Sequence, residues 1–291
     1  MKNWQPTTTL MLGHSPDADD AFMFYAMVKE KIDLKGYRFQ YVLQDIETLN
    51  KRAMHGELHI SAVSIHAYAH LHDKYLLLPS GISMGDGYGP ILVACSATTV
   101  PSFCSIDDCR KWLLTQCIAI PGRMTTAYLS ARVFLGEFEH ITVPFDEIFS
   151  AVKSGRAQVG LLIHEGQLTY AKEGFKKILN LGAWWKVHTQ LPLPLGGNVI
   201  RKDIPSSIQK DIAAIIKKSI QYGLQHRTAT IEYSSHYARG MEAIFIDRFI
   251  EMYVNDYTLN YGKKGHQAIE RLFSEAYNKG LIAFPISPQF V

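Results

Sequence analysis

Short apolar runs and amphipathic stretches alternate through the first two thirds of the chain. "TTLMLG" reads as a strand, and "DDAFMFYAMVKE" as the helix after it, its acidic start suited to a helix N-terminus. "YRFQYVLQD" alternates like a half-buried strand, "IETLNKRAMHG" has helical spacing and stops at Gly56, and "HISAVSI" reads as a buried strand. After the strand-like "YGPILVACS" the same order returns. "QCIAIPG" predicts a strand, "TTAYLSARVFLGE" a helix, "HITVPF" a strand, "DEIFSAVKSG" a helix stopped by Gly155, and "QVGLLI" a strand. The last third is mostly helical. Ile208, Ile212, Ile215, Ile216 and Ile220 fall at helical spacing, and "AIERLFSEAYNKGLI" ends at Gly280. Strands alternating with helices predict an α/β architecture with largely parallel sheets.

That order contains a faint internal repeat. "LMLGHSPDADDAF" and "IAIPGRMTTAY" are each a strand, a glycine, a short polar loop and a helix start. "MHGELHISAVSIHAY" and "KSGRAQVGLLIHEGQ" are each a helix end, a glycine, a connector and a strand with a polar tip. The repeat is one of pattern rather than identity, and it predicts two similar α/β lobes. The larger lobe is expected from residues 1–97 and 198–291, the smaller from 98–197, joined by crossovers at "YGPILVACS" and "GGNVIRKD". Ligands of open α/β sheets sit beyond the carboxyl ends of the strands. Two facing lobes would therefore bring together the loops from His14 to Asp20, Ser61 to His66, Arg123 to Thr126 and His164 to Gln167.

Composition narrows what such a cleft holds. With 47% hydrophobic and 20% charged residues in 291, the chain is an ordinary folded protein. A net charge of +3 with scattered Lys and Arg gives no basis for nucleic-acid binding. No apolar stretch is long enough to insert in a membrane, and "MKNWQPTTTLMLGHSPDADD" lacks the features of a signal peptide, so a cytoplasmic protein is expected. The spacing of Cys95, Cys104, Cys109 and Cys117 fits free thiols rather than a zinc site. Walker loop, dinucleotide fingerprint, nucleophile elbow and redox CxxC are all missing, and neither a metal nor a cofactor is expected.

The loops carry the candidate chemistry. "GLLIHEGQLTY" ends an apolar strand on His164 and Glu165, which leaves two readings: a hydrogen-bonded core histidine, or an imidazole delivered to the cleft as an acid/base group. Strand alternation would put Glu165 on the opposite face from His164. Thr125 and Thr126 open a helix, where hydroxyls and backbone N–H groups suit a carboxylate or phosphate, though one threonine also suits the N-cap. Ser64 adds a hydroxyl at a strand tip. Asp17, Asp19 and Asp20 read as caps of the first helix. Trp184 and Trp185 are either packing residues or a wall against a flat ring. The residues alone thus describe a two-lobed binder of a small anion with a candidate acid/base histidine.

A resemblance extends this reading. "SPDADDAFMFYA", "QDIETLN", "GRMTTAYL", "GLLIHEGQLTY", "LGAWW", "TQLPLPLGG" and "YVNDYTLNYGKKGHQAIERLF", in that order, resemble the 1,4-dihydroxy-6-naphthoate synthase family of the futalosine route to menaquinone. The resemblance implies a fold like that of type II periplasmic binding proteins. It implies a carbon–carbon lyase that converts cyclic dehypoxanthinyl futalosine into 1,4-dihydroxy-6-naphthoate and a small sugar-derived ketone, without a redox cofactor. It further implies His164 as catalytic base, Thr125 and Thr126 as substrate contacts, and Ala62, Val63 and Ser64 as the substrate-contacting strand tip. The chain departs from the pattern at two places. Relatives tend to carry lysine where this chain has Ala62, and often read Ser-Pro-Cys-Pro-Asn-Asp where it reads "SPDADD". Arg123 or His14 is then expected to supply the cation, with Ser15 beside it. Chorismate dehydratase of the same pathway and a non-catalytic carboxylate binder are the competing readings.

Overall fold

The computed structural model describes residues 9–238 and 241–291; part of the stretch on which the leader reading rests lies outside them. Its strands are β1 (Thr9–His14), β2 (Arg38–Leu43), β3 (Ile60–Ser64), β4 (Tyr75–Leu77), β5 (Ser83–Gly85), β6 (Ile91–Cys95), β7 (Ile118–Ile120), β8 (His140–Thr142), β9 (Val159–Leu162), β10 (Phe175–Asn180) and β11 (Leu193–Arg201). They form two sheets, β2-β1-β3-β11-β4 with β5 on β11, and β10-β6-β9-β7-β8.

The repeat is one of topology. β1 pairs in parallel with β2 and β3, and β7 in parallel with β8 and β9. Each unit then gains an antiparallel neighbour on its third strand, β11 on β3 and β6 on β9. A helix follows the first strand of each unit, Ala18–Val28 after β1 and Thr126–Leu135 after β7. β3 and β9 are buried throughout because each has strands on both sides and helices above, so β9 reads as an apolar run and β3 carries only the small polar Ser61 and Ser64 among its apolar residues. Before each lies a glycine with positive φ, Gly56 (68°) and Gly155 (77°), where a side chain would be strained as the helix ends and the chain turns into the sheet.

β6 belongs to the second sheet and β11 to the first, so the chain crosses between Gly85 and Ile91 and returns between Asn180 and Leu193. The two crossings pack backbone to backbone. A Cβ on Gly182 would lie 1.8 Å from the Tyr88 carbonyl oxygen, which explains the glycine of "LGAWW". The tryptophans beside it are packing residues. Trp185 is fully buried with Nε1–H donating to the Pro192 carbonyl at 3.0 Å, and Trp184 packs edge-on against Phe134 and stacks on His188. The isoleucine stripe faces the core as its spacing predicts: Ile212, Ile215, Ile216 and Ile220 are fully buried in helix Ser206–Gln225, which packs on Ala18–Val28. The four cysteines are free thiols, and among the described residues no helix is long and apolar enough to cross a membrane.

Candidate active site

A cleft of roughly 730 Å³, its open mouth included, lies between the sheets. The chain reaches it at the carboxyl ends of four parallel strands. Ser15, Asp17, Asp19 and Asp20 follow β1, Ala62, Val63 and Ser64 close β3, Thr125, Thr126 and Ala127 follow β7, and Ile163, His164 and Gln167 follow β9. These are the loops that the repeat brings together on sequence grounds, because equivalent strand ends of two similar units face one another.

His164 does not stand on a strand. β9 ends at Leu162, and His164 takes a left-handed backbone (φ 53°) in a turn closed by the Gln167 N–H, which donates to the His164 carbonyl at 3.2 Å. Strand alternation therefore does not govern which side chain faces the cleft. A non-glycine residue in this region is held there by its surroundings, a form of strain that gathers at functional sites. Nδ1–H donates to Asp17 Oδ2 at 2.9 Å, and the ring stands edge-on to Phe145 at 5.0 Å. Because a carboxylate only accepts, Asp17 fixes the tautomer: Nδ1 keeps its proton and the neutral ring carries its lone pair on Nε2. Nε2 is buried and has no hydrogen-bond partner among the described residues. Burial disfavours the imidazolium, but the charge of Asp17 and its hydrogen bond outweigh this, and the pKa rises to about 9. The ring is thus charged at neutral pH, unlike an ordinary histidine near ~6.5.

The carboxylates divide the work. Asp17 occupies the N-cap position of Ala18–Val28 without capping it; its Oδ2 also accepts from Ser15 Oγ at 2.5 Å. Asp20 accepts from the Ser15 N–H at 2.7 Å. Burial first, then neighbouring carboxylate charge, pushes Asp19 up to about 7 and Asp20 well above the usual carboxylate range. Near neutral pH the cluster therefore carries much less negative charge than three ionised aspartates would.

Both threonine hydroxyls are engaged by protein. Thr125 Oγ1 accepts from the Tyr128 N–H at 3.1 Å and donates to the Gly122 carbonyl at 2.8 Å, so it caps helix Thr126–Leu135. Thr126 Oγ1 donates to the Leu195 carbonyl of β11 at 2.6 Å and accepts from the His66 N–H at 3.1 Å. What the helix start offers an anion is the backbone N–H groups of Thr126 and Ala127, both lining the cleft.

A family model described as "Menaquinone biosynthesis" matches residues 10–278. The chain belongs to that family. Two curated relatives named 1,4-dihydroxy-6-naphthoate synthase are similar over nearly full length. That of Thermus thermophilus is 35% identical over 97% of this chain and 99% of the relative, and that of Streptomyces coelicolor 30% over 94% and 95%. A crystal structure from Archaeoglobus fulgidus is 42% identical, with a TM-score of 0.86 over 94% of this chain and 98% of that one. The alkanesulfonate-binding protein SsuA from Xanthomonas axonopodis pv. citri shares only 10% identity, with a TM-score of 0.71 over 96% of each chain. A Candida albicans protein described as having the generic periplasmic-binding-protein fold gives 14% and 0.72 over 95% of this chain and 92% of that one. The fold is the two-lobed, periplasmic-binding-protein-like one, with the cleft between the lobes.

In this member of the menaquinone biosynthesis family, His164, Ser15, Ala62, Val63, Ser64, Thr125 and Thr126 line the cleft, whereas Arg123 and His14 do not. Arg123 is exposed. His14 is buried against Phe24 (ring centroids 4.9 Å apart), with Nδ1 2.9 Å from the Ser15 carbonyl oxygen, and burial lowers its pKa. Among the lining residues His164 is the one basic side chain. Residues outside the repeat pattern complete the cleft. Asn50, fully buried, holds Ser64 through its N–H (2.9 Å) and Oγ (3.1 Å). Asn198 on β11 donates to the Gly81 carbonyl at 3.1 Å, while its buried Oδ1 has no partner among the described residues. Gln167 Nε2 donates to Tyr253 Oη at 2.5 Å. A polar residue inside the buried run "GGNVI" was the available sequence signal for Asn198; Tyr253 left none.

Proposed function

We propose that the protein is a 1,4-dihydroxy-6-naphthoate synthase, a carbon–carbon lyase acting on cyclic dehypoxanthinyl futalosine with His164 as general base. The observation that carries this reading is the His164 ring pinned at Nδ1 by Asp17, so that its neutral form, gained as pH rises toward about 9, has Nε2 ready to take a proton. The near-full-length relatives of that name support the substrate. Removing a proton from the substrate lets the carbon–carbon bond break, and aromatisation of the naphthoate drives the step. The substrate carboxylate lies at the start of helix Thr126–Leu135, where the first N–H groups and the helix dipole favour an anion. The lobes follow the sheets, one containing β1–β5 and β11, the other β6–β10, which puts β6 (Ile91–Cys95) and the start of β11 (Leu193–Arg201) on the other side of the boundaries 1–97, 98–197 and 198–291 expected from the sequence. The enzyme works in the cytoplasm on a small carboxylate.

Incubation with the cyclic substrate, followed by mass spectrometry for the naphthoate, tests the assignment. Chorismate supplied in parallel tests for the sister dehydratase. His164→Asn keeps a residue that tolerates the left-handed backbone, so the fold is expected to survive. A general base contributes about 10²–10⁴-fold, so kcat is expected to fall by at least about a hundredfold with KM little changed. A folded His164→Asn variant retaining more than about a tenth of the activity would assign the base elsewhere.

A further inference from the structure

We propose that Asp17 is the positioning residue of His164, and that this pair is assembled across the cleft and is complete only when the lobes are closed on one another. The proposal rests on the reading of His164 as the base. Asp17 follows β1 in one lobe and His164 follows β9 in the other, and yet their side chains meet at 2.9 Å. A local role does not account for Asp17, since its carboxylate leaves the helix it precedes uncapped. Ser15 Oγ binds the same oxygen at 2.5 Å and so holds the carboxylate toward the second lobe. Further hydrogen bonds span the cleft beside the pair. Thr126 Oγ1 donates to the Leu195 carbonyl at 2.6 Å, Gln167 Nε2 to Tyr253 Oη at 2.5 Å, and the Met124 N–H to Glu47 Oε2 at 3.3 Å.

The charged groups acting on the ring are Asp17, Asp19 and Asp20 from the first lobe and Glu165 from its own segment. Of these, Asp17 is the one bonded to Nδ1. Separating the lobes removes all three aspartates together, leaving an ordinary histidine beside Glu165 with no fixed tautomer. Closure and proton uptake at His164 are therefore linked: the closed cleft holds the charged ring more tightly, and a substrate that stabilises closure also orients Nε2.

The test uses the unliganded full-length protein. Long-range ¹H–¹⁵N spectra follow the histidine rings with pH, and His164→Asn assigns the signal. In the wild type the His164 ring is expected to titrate near 9 with Nδ1 protonated in the neutral form. An opposite charge in contact shifts a pKa by about 1–3, so Asp17→Asn is expected to titrate at least about one pH unit lower. Asp17→Glu should recover part of the difference. In activity, Asp17→Asn is expected to move the acid limb of the kcat profile to lower pH while lowering its high-pH plateau at least tenfold, with KM changing less than threefold. In the structure the lobes already meet across the cleft with the pair formed, so a wild-type ring titrating at or below about 6.5, or a titration unmoved in folded Asp17→Asn, overturns the proposal. Should Asp17→Asn not fold, the wild-type and Asp17→Glu titrations decide alone. The spectra need no substrate, so a wild type that forms no naphthoate would sink the reading of the reaction without touching this result.

Discussion

Replacing Thr126 with valine removes one hydroxyl and keeps the branched shape, so it isolates what the hydroxyl does. Thr126 is 2% exposed, and water cannot readily take the place of its Oγ1. Two groups lose their partner: the Leu195 carbonyl, 2.6 Å away, and the His66 N–H, 3.1 Å away. An orphaned buried polar group costs about 1–3 kcal/mol, so the pair predicts a loss of about 2–6 kcal/mol. For a chain of this size 1 kcal/mol moves Tm by about 2–4 °C, which gives a fall of roughly 4–24 °C. Thr126→Ser keeps both bonds and should stay within about 1 kcal/mol of the wild type. Thermal denaturation followed by circular dichroism, read beside steady-state kinetics, separates two accounts of this threonine. If the hydroxyl joins the helix start to β11, Tm falls and KM rises less than about tenfold, through a displaced helix start alone. An unchanged Tm with KM raised tenfold or more would show that the hydroxyl belongs to the substrate and refute the reasoning.

Other outcomes follow from single residues. Burial, with the nearby charge of His70, holds the His66 ring down at about 4. The folded ring is then neutral while the unfolded one takes a proton below ~6.5, so stability is full above that pH and drains as pH falls from ~6.5 to about 4, by at most about 3 kcal/mol. Denaturant midpoints across this window should flatten in His66→Gln; an equal acid slope in both proteins would place the sensitivity elsewhere. Gly182→Ala brings a methyl to 1.8 Å from the Tyr88 carbonyl oxygen, a backbone atom with no rotamer to yield, and should cost about 3 kcal/mol or more. A Tm within a degree or two of wild type would mean that the two crossing segments separate easily.

The architecture was legible in the sequence because its cues are local. A strand, a glycine, a polar loop and a helix start recur in order, and Gly56 and Gly155 do stand at positive φ where each helix ends. The start of helix Thr126–Leu135 could be read from its threonines; that Thr125 caps it while Thr126 reaches β11 could not, since β11 lies far along the chain. The same limit hid the partner of His164. Periodicity relates residues a few positions apart; it put Glu165 on the opposite face and offered no other carboxylate, whereas the ring is bonded to Asp17 across the cleft. Placing His164 on a strand was the natural extension of "VGLLI", and the left-handed turn at His164 carries no signature that composition reveals.

Charge is where the chain departs most from expectation, and the departures compensate one another. A carboxylate ligand, a cleft with three aspartates and Ala62 in place of a lysine look mutually repulsive, and neither Arg123 nor His14 lines the cleft to relieve this. Burial resolves the conflict. Enclosed together, the aspartates cannot all ionise near neutral pH, so Asp19 and Asp20 are pushed up while Asp17 forms a pair with the protonated His164. That arrangement sums to little charge and leaves the partial positive end of helix Thr126–Leu135 as a place for an anion. Raising the pH through about 7 ionises Asp19 and should weaken carboxylate binding, at the same time as it begins to free His164 to act as a base. Affinity and turnover are consequently expected to move in opposite directions with pH, KM rising above about 7 while kcat climbs toward about 9.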